Sequence, residues 1–306
     1  MRTEKLISFD YAMKYILRDK SDYSIIEGFL SALLATAGYK PVKITALLES
    51  ESNKDEARGK RIVADMVVED TDGVNYIIEI ERNEKYNFMH KACFSSSRVI
   101  VDSIGQSQNY LNIVKVIHIS LLYFDLGGSS LYHGKTIFRD MDTNGGNKPL
   151  QLHLKQEDGS TTDLMDILPE YFVISIPAFH DEINQSIDEW LYMMKNEEIK
   201  DNFKEKYIKL AAERLSFLKM NLAQQTNYIR YKLEMVDVRE EIRTAELKGK
   251  AEGKAEGKAE GKAEGKAEGV SFAVKRMFAN NMSETDIAKI LALSIDEVKS
   301  IIHVFK

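Results

Sequence analysis

Three acidic residues, Asp65, Glu79 and Glu81, stand at spacings that suit a divalent-cation site. Asp65 interrupts the apolar run RIVADMVVED, while Glu79 and Glu81 sit in YIIEIERNEKYNF, where apolar and polar residues alternate as in a β-strand. Between the runs lies EDTDGVN, a hairpin turn signal. A two-residue Asp72-Gly73 turn would put Asp65 and Glu79 on opposite faces. A three-residue loop over Thr71–Gly73, with Gly73 left-handed, sets them opposite one another on one face, and Glu81 joins them because residues two apart point the same way. Three acids on one face repel each other unless a cation sits among them, and carboxylates with a backbone carbonyl and waters suit Mg2+. A cation so held polarises a phosphoryl oxygen and lowers the pKa of a bound water, which is the chemistry of phosphodiester cleavage. A solvated strand face accounts for the same pattern equally well, and the pattern alone leaves both readings open.

The elements that must position these acids follow from periodicity. Apolar residues every three or four positions from Ile7 to Thr36 predict two amphipathic helices, ended by Gly38 and Pro41. Strand-like runs follow at Val42 to Leu48, Ile62 to Val68 and Tyr76 to Glu81. Asn87 to Tyr110 has the length of a crossover helix and precedes a fourth strand from Val114 to Phe124. That order describes an α/β core. LQLHLKQ and FVISIP add two short strands that extend or flank the sheet, and from Ser186 the pattern turns helical and charged.

Bulk composition narrows the class. The 306 residues are 44% hydrophobic and 29% charged, as in an ordinary globular protein. The net charge of -6 gives no whole-molecule positive field, so any contact with nucleic acid must be local. A single cysteine, Cys93, rules out an intramolecular disulfide framework and a multi-cysteine metal cage, and reads as a small buried hydrophobe. With no apolar run of signal-peptide or membrane-spanning character, the chain is expected to be cytoplasmic, with no membrane partner. His90 and His118 lack a partner at ligand spacing and are assigned to core or surface, and Trp190 to the core of the helical part.

The tail contains five consecutive copies of GKAE, from Gly249 to Glu268. A glycine every fourth residue costs about 1 kcal/mol each relative to alanine in a helix, and the period stacks Lys on Lys and Glu on Glu. A frayed helix or flexible spacer is the expected outcome. Beyond it, Ser283 and the Ser294–Glu297 capping box each open a short helix. The pair is similar to a helix-turn-helix, although a hairpin used for packing or self-association is the preferred reading. The expected organisation is therefore a core over 1–180, a helical region over 181–247, the repeat spacer over 248–269 and a helical hairpin over 270–306.

The order of FDYAMKYIL, RIVADMVVEDTDGVNYIIEIERN, FMHKACFSSSRVIVDSIGQSQNYLNIVKVIHISLL, IDEWLYMMKN and AELKGKAEGKAEG over nearly the whole chain resembles the recombination-promoting nuclease and transposase family of the PD-(D/E)XK nuclease superfamily. The resemblance implies a restriction-endonuclease-like core, a mixed sheet flanked by helices with a C-terminal helical extension. It also implies a metal-dependent DNA endonuclease in which Asp65 and Glu79 bind Mg2+, or Mn2+, and DNA is the partner; self-association as a homo-oligomer is compatible with it. One departure stands out: the superfamily carries lysine two residues after the glutamate and this family usually glutamine, whereas here the position is Glu81. Glu81 either adds a ligand or marks a weakened site, in which case the chain is a DNA-binding or assembly protein on a nuclease scaffold. Lys60, Arg61, Arg82 and Lys85 flank the hairpin as sources of positive charge toward DNA. Gln106 and Tyr110 repeat a Gln-x-x-x-Tyr spacing of some active-site helices in the superfamily.

Overall fold

The computed structural model of the chain describes residues 6–15, 22–48, 64–83, 87–104, 110, 113–141, 148–150, 153–155 and 161–303. It divides into two units, Met1–Ile229 and Arg230–Lys306. The first begins with helices α1 (Phe9–Tyr15) and α2 (Ser24–Ala35), followed by β1 (Ile44–Leu48), β2 (Met66–Asp70) and β3 (Asn75–Glu81). Helix α3 (Phe88–Ile104) then crosses to β4 (Val116–Leu122). β5 (Leu131–Lys135), β6 (His153–Lys155), β7 (Thr161–Asp163) and β8 (Glu170–Ser175) come next, and α4 (Ser186–Asn196) and α5 (Lys206–Arg214) follow.

Six strands form one mixed sheet in the order β1-β2-β3-β4-β8-β5. β1, β2 and β3 are antiparallel neighbours, β3, β4 and β8 run parallel, and β5 returns antiparallel along β8. FVISIP thus supplies the sheet strand β8, whereas LQLHLKQ contributes β6 to a separate two-stranded ribbon with β7. All seven residues of β3 and of β4 are buried, as expected for strands at the centre of a sheet with both faces covered. On one face Val67, Ile77 and Val116 pack with Ala64 against Val99 and Ile100 of α3. The alternate residues Met66, Val68, Tyr76, Ile78 and Ile80 are equally buried. The solvated-face explanation of the acidic pattern is therefore overturned: Glu79 is 2% and Glu81 4% exposed.

The β2–β3 hairpin turns as its odd-length loop requires. Met66 pairs with Ile78 and Glu69 with Asn75, and the three-residue loop closes with Gly73 at φ 76°, a conformation glycine adopts without steric cost. Asp70 organises the loop, its Oδ1 accepting from the amides of Asp72 (2.9 Å) and Val74 (3.0 Å) and its Oδ2 from the Tyr76 hydroxyl (2.8 Å). Elsewhere Gly28 permits α2 to meet α5, since a Cβ there would lie 2.4 Å from the Tyr207 Cβ. Phe9, Phe29 and Trp190 join α1, α2 and α4 through edge-to-face contacts with centroids 5.6–6.3 Å apart.

Glu170, at the start of β8, is fully buried and held by four side chains. Lys115 Nζ (2.8 Å) and the Tyr39 hydroxyl (2.6 Å) donate to Oε1, His133 Nε2 lies 2.8 Å from Oε2, and Lys135 Nζ is 3.3 Å from Oε1. Burial alone would raise its pKa, but the hydrogen bonds from Lys115, Tyr39 and His133 prevail and hold it at about 2. A carboxylate with a depressed folded pKa contributes stability that is full above its unfolded pKa and lost as pH falls toward 2. Glu170→Gln is expected to destabilise the first unit by about 3 kcal/mol at neutral pH, because it removes the charge that holds Lys115, which is 13% exposed, and the hydrogen bonds gathered on a fully buried carboxylate. Urea denaturation of both proteins at pH 7 and pH 3 measures this, and the difference should shrink at the lower pH.

In α6 (Leu222–Ala279) the GKAE repeat is one uninterrupted helix, which corrects the expected frayed or flexible spacer. Alanine, lysine and glutamate are strong helix formers, and the stacked like charges are exposed, where water and salt screen them. In the second unit Val274 of α6 packs with Ile287, Ala288, Val298 and Ile302 of α7 (Glu284–Leu291) and α8 (Ile295–His303). Both predicted caps form: Ser283 Oγ accepts from the Asp286 amide, and Ser294 and Glu297 exchange amide contacts at 3.2 and 2.8 Å. Every glycine of the repeat has open space where a Cβ would stand. Deleting two GKAE copies is expected to leave the thermal midpoint of the first unit unchanged, as scanning calorimetry of the shortened chain would show.

Candidate active site

Glu79 and Glu81 lie at the C-terminal end of β3, and both turn toward α3. Lys91, one turn into that helix, places its ammonium 2.7 Å from Glu81 Oε1 and 3.2 Å from Glu79 Oε2. Ser95, four residues further along the same helix face, donates to Glu79 Oε1 at 2.8 Å. The geometry follows from the β3–α3–β4 crossover, which lays α3 over the face that carries Glu79 and Glu81. On β4 the fully buried His118 brings Nε2 to 3.9 Å from Glu79 Oε2, and Nε2 has no hydrogen-bond partner among the described residues.

Burial pushes the Glu79 carboxyl above its ordinary range; the Lys91 ammonium and the Ser95 hydroxyl pull it back only in part, and Glu81 adds to the rise. For Lys91 burial acts to lower the pKa, yet the hydrogen bond to Glu81 and the charges of Glu79 and Glu81 outweigh it and raise the value. Glu81 is the closer anchor of the ammonium. Burial, with the Lys91 charge adding to it, holds His118 down at about 3, so its imidazole is neutral at any physiological pH.

Asp65 occupies the bend immediately before β2 rather than the interior of the strand. Continuing the Met66–Ile78 register by one step sets it opposite Glu79. Its Oδ2 accepts from the Ile80 amide at 2.7 Å, and Lys14 of α1 stands 3.6 Å from its Oδ1. Asp65 and Glu79 are therefore neighbours at the end of one hairpin, but their side chains take partners from different helices. Among the described residues no three His, Cys, Asp or Glu side chains form a group that could hold a metal ion.

Of the flanking basic residues, Arg82 donates from Nε to Oδ2 of the fully buried Asp10 at 2.6 Å, and its guanidinium lies 4.8 Å from the Tyr123 ring centroid. It serves the contact between α1 and the end of β3. Lys60, Arg61, Lys85 and Gln106 lie outside the described residues; Tyr110 is 79% exposed. Sequence reasoning passed over Lys91, Ser95, Lys14 and Asp10. The signal for the first two was present, since Lys91 and Ser95 interrupt the apolar stripe of a crossover helix that must cover the acidic strand.

The mixed sheet, the crossover helix and the acidic end of the β2–β3 hairpin define a restriction-endonuclease-like nuclease fold. Residues 7–245 match the family described as PD-(D/E)XK nuclease family transposase, and the chain belongs to that family. No curated protein and no solved structure matches the chain significantly. Nucleases of this class generally use divalent metals. Among the described residues no helix is long and apolar enough to cross a membrane.

The raised folded pKa of Glu79 means that its charged form is favoured less in the native than in the unfolded chain. Its contribution to stability is greatest below the ordinary carboxylate range and is lost as pH rises through the raised value. Glu79→Gln is expected to raise the thermal midpoint at pH 7.5 by roughly 2–4 °C in metal-free buffer, the shift that about 1 kcal/mol produces in a unit of this size. The gain should vanish at pH 4, and differential scanning fluorimetry across that range checks it.

Proposed function

We propose that the protein is a divalent-metal-dependent endonuclease that hydrolyses DNA phosphodiester bonds, acting in recombination or transposition. The observation that carries this reading is an ammonium bound between two buried carboxylates, Glu79 and Glu81, beside Asp65 at the end of the same hairpin. The donors are all carboxylate oxygens, and Mg2+ needs only one or two of these with waters completing the shell, so Asp65 and Glu79 fit as its ligands. Bound there, Mg2+ or Mn2+ would polarise a phosphoryl oxygen and lower the pKa of a coordinated water. Ser95 fixes the Glu79 carboxylate, and the Ile80 amide fixes that of Asp65, so both are oriented before substrate arrives.

A second reading, a nuclease-fold protein that binds DNA or assembles on it without cutting, draws on the lysines already paired with each candidate ligand. Plasmid cleavage separates the two. Supercoiled DNA should be nicked or linearised with Mg2+ or Mn2+ and left intact with EDTA, and Asp65→Ala and Glu79→Ala should reduce cleavage to background. DNA binding by mobility shift without cleavage in either metal would favour the non-cutting reading.

A further inference from the structure

We propose that Lys91 of α3 supplies the positive charge that β3 lacks at position 81, and that Glu81 is the positioning residue that aims it. The proposal rests on the nuclease reading above. A lysine two residues after Glu79 would offer positive charge to a phosphate; Glu81 carries the opposite charge and by itself would repel it. The structure resolves this conflict spatially. Lys91 Nζ lies closer to Glu81 (2.7 Å) than to Glu79 (3.2 Å), so Glu81 draws the ammonium to the end of β3 where the strand's own lysine would stand.

An ammonium has three N–H donors, and these two carboxylates take two of them. The Lys91 side chain is 40% exposed, whereas Glu79 and Glu81 are buried, so Lys91 is the member of the cluster that reaches toward solvent. That is the arrangement required of a group that meets a phosphate arriving from outside. In hydrolysis the water oxygen bonds to phosphorus and the P–O ester bond breaks. One water proton ends on the leaving oxygen and the other is released to solvent. Lys91 donates a hydrogen bond to the non-bridging oxygen on which negative charge grows, and itself loses no proton.

The test compares Lys91→Met, Lys91→Arg, Glu81→Gln and the exchanged pair Glu81→Lys/Lys91→Glu in the full chain. Three quantities are read: Mn2+ affinity by calorimetry without DNA, thermal midpoint, and single-turnover cleavage of plasmid. Lys91→Met should bind Mn2+ at least as tightly as wild type, because the competing ammonium is gone, yet cut about 100-fold more slowly. Glu81→Gln should cost about tenfold in rate, as loss of an orienting partner does. Lys91→Arg should keep part of the rate, and the exchanged pair should recover most of what Lys91→Met loses. Cleavage by Lys91→Met within threefold of wild type, roughly the scatter expected of a neutral change, would overturn the proposal and leave the nuclease reading standing. So would loss of Mn2+ binding in Lys91→Met, which would make Lys91 a support for Glu79. If Lys91→Met is unfolded, Lys91→Arg and Glu81→Gln decide, and full activity in both overturns the proposal. Absence of cleavage by wild type in either metal would overturn this proposal and the nuclease reading together.

Discussion

Two carboxylates two residues apart on one buried strand need a cation within reach, and the Glu79–Glu81 pair on β3 obtains it from Lys91. Neither acid has water enough to solvate its charge, and leaving either unpaired inside the sheet would cost several kcal/mol. The lysine comes from α3, so this ionic contact and the apolar one made by Val99 and Ile100 dock the same helix on the same face. Both acids lie toward the carboxyl end of a strand running parallel to its neighbour. In open α/β sheets that is where ligand crevices form.

Strand alternation then distributes charge between two layers. Glu81 faces α3, and Arg82, the next residue, reaches the buried Asp10 of α1. Lys14, one helical turn after Asp10, reaches Asp65. α1 thus contacts both strands of the acidic hairpin, and the end of β3 is clamped from two sides by opposite charges. Glu170 plays a comparable part at the start of β8, where Lys115, Tyr39 and His133 tie β4, β5 and the segment after α2 to one carboxylate.

The local features were readable from sequence because local rules set them. The three-residue loop with left-handed Gly73, the β2–β3 register, the crossover helix and both caps of the terminal hairpin follow from short-range patterns. β5 was missed because LYHGK has no apolar alternation; it is held by pairing to β8 and by His133 and Lys135 on Glu170, partners more than thirty residues away. Asp65 carries the expected register but ends the strand at a bend, a change that periodicity does not encode. Lys91 escaped notice because its meaning depends on Glu81, ten residues earlier, and only the crossover brings the two together.

The charge balance at the hairpin end shows how a glutamate can stand where the superfamily carries lysine. Asp65, Glu79 and Glu81 oppose Lys14 and Lys91, and these five side chains leave one negative charge. Lysine at 81 with Lys91 retained would leave one positive charge, repelling a divalent cation before DNA arrives. On the proposed reading, glutamate at 81 would leave the net negative charge that attracts a divalent cation, and the bound cation would turn the local balance positive toward a phosphate. A lysine on the helix in place of one on the strand would then preserve the attraction for metal first and for phosphate second, with Glu81 keeping the ammonium within reach of both.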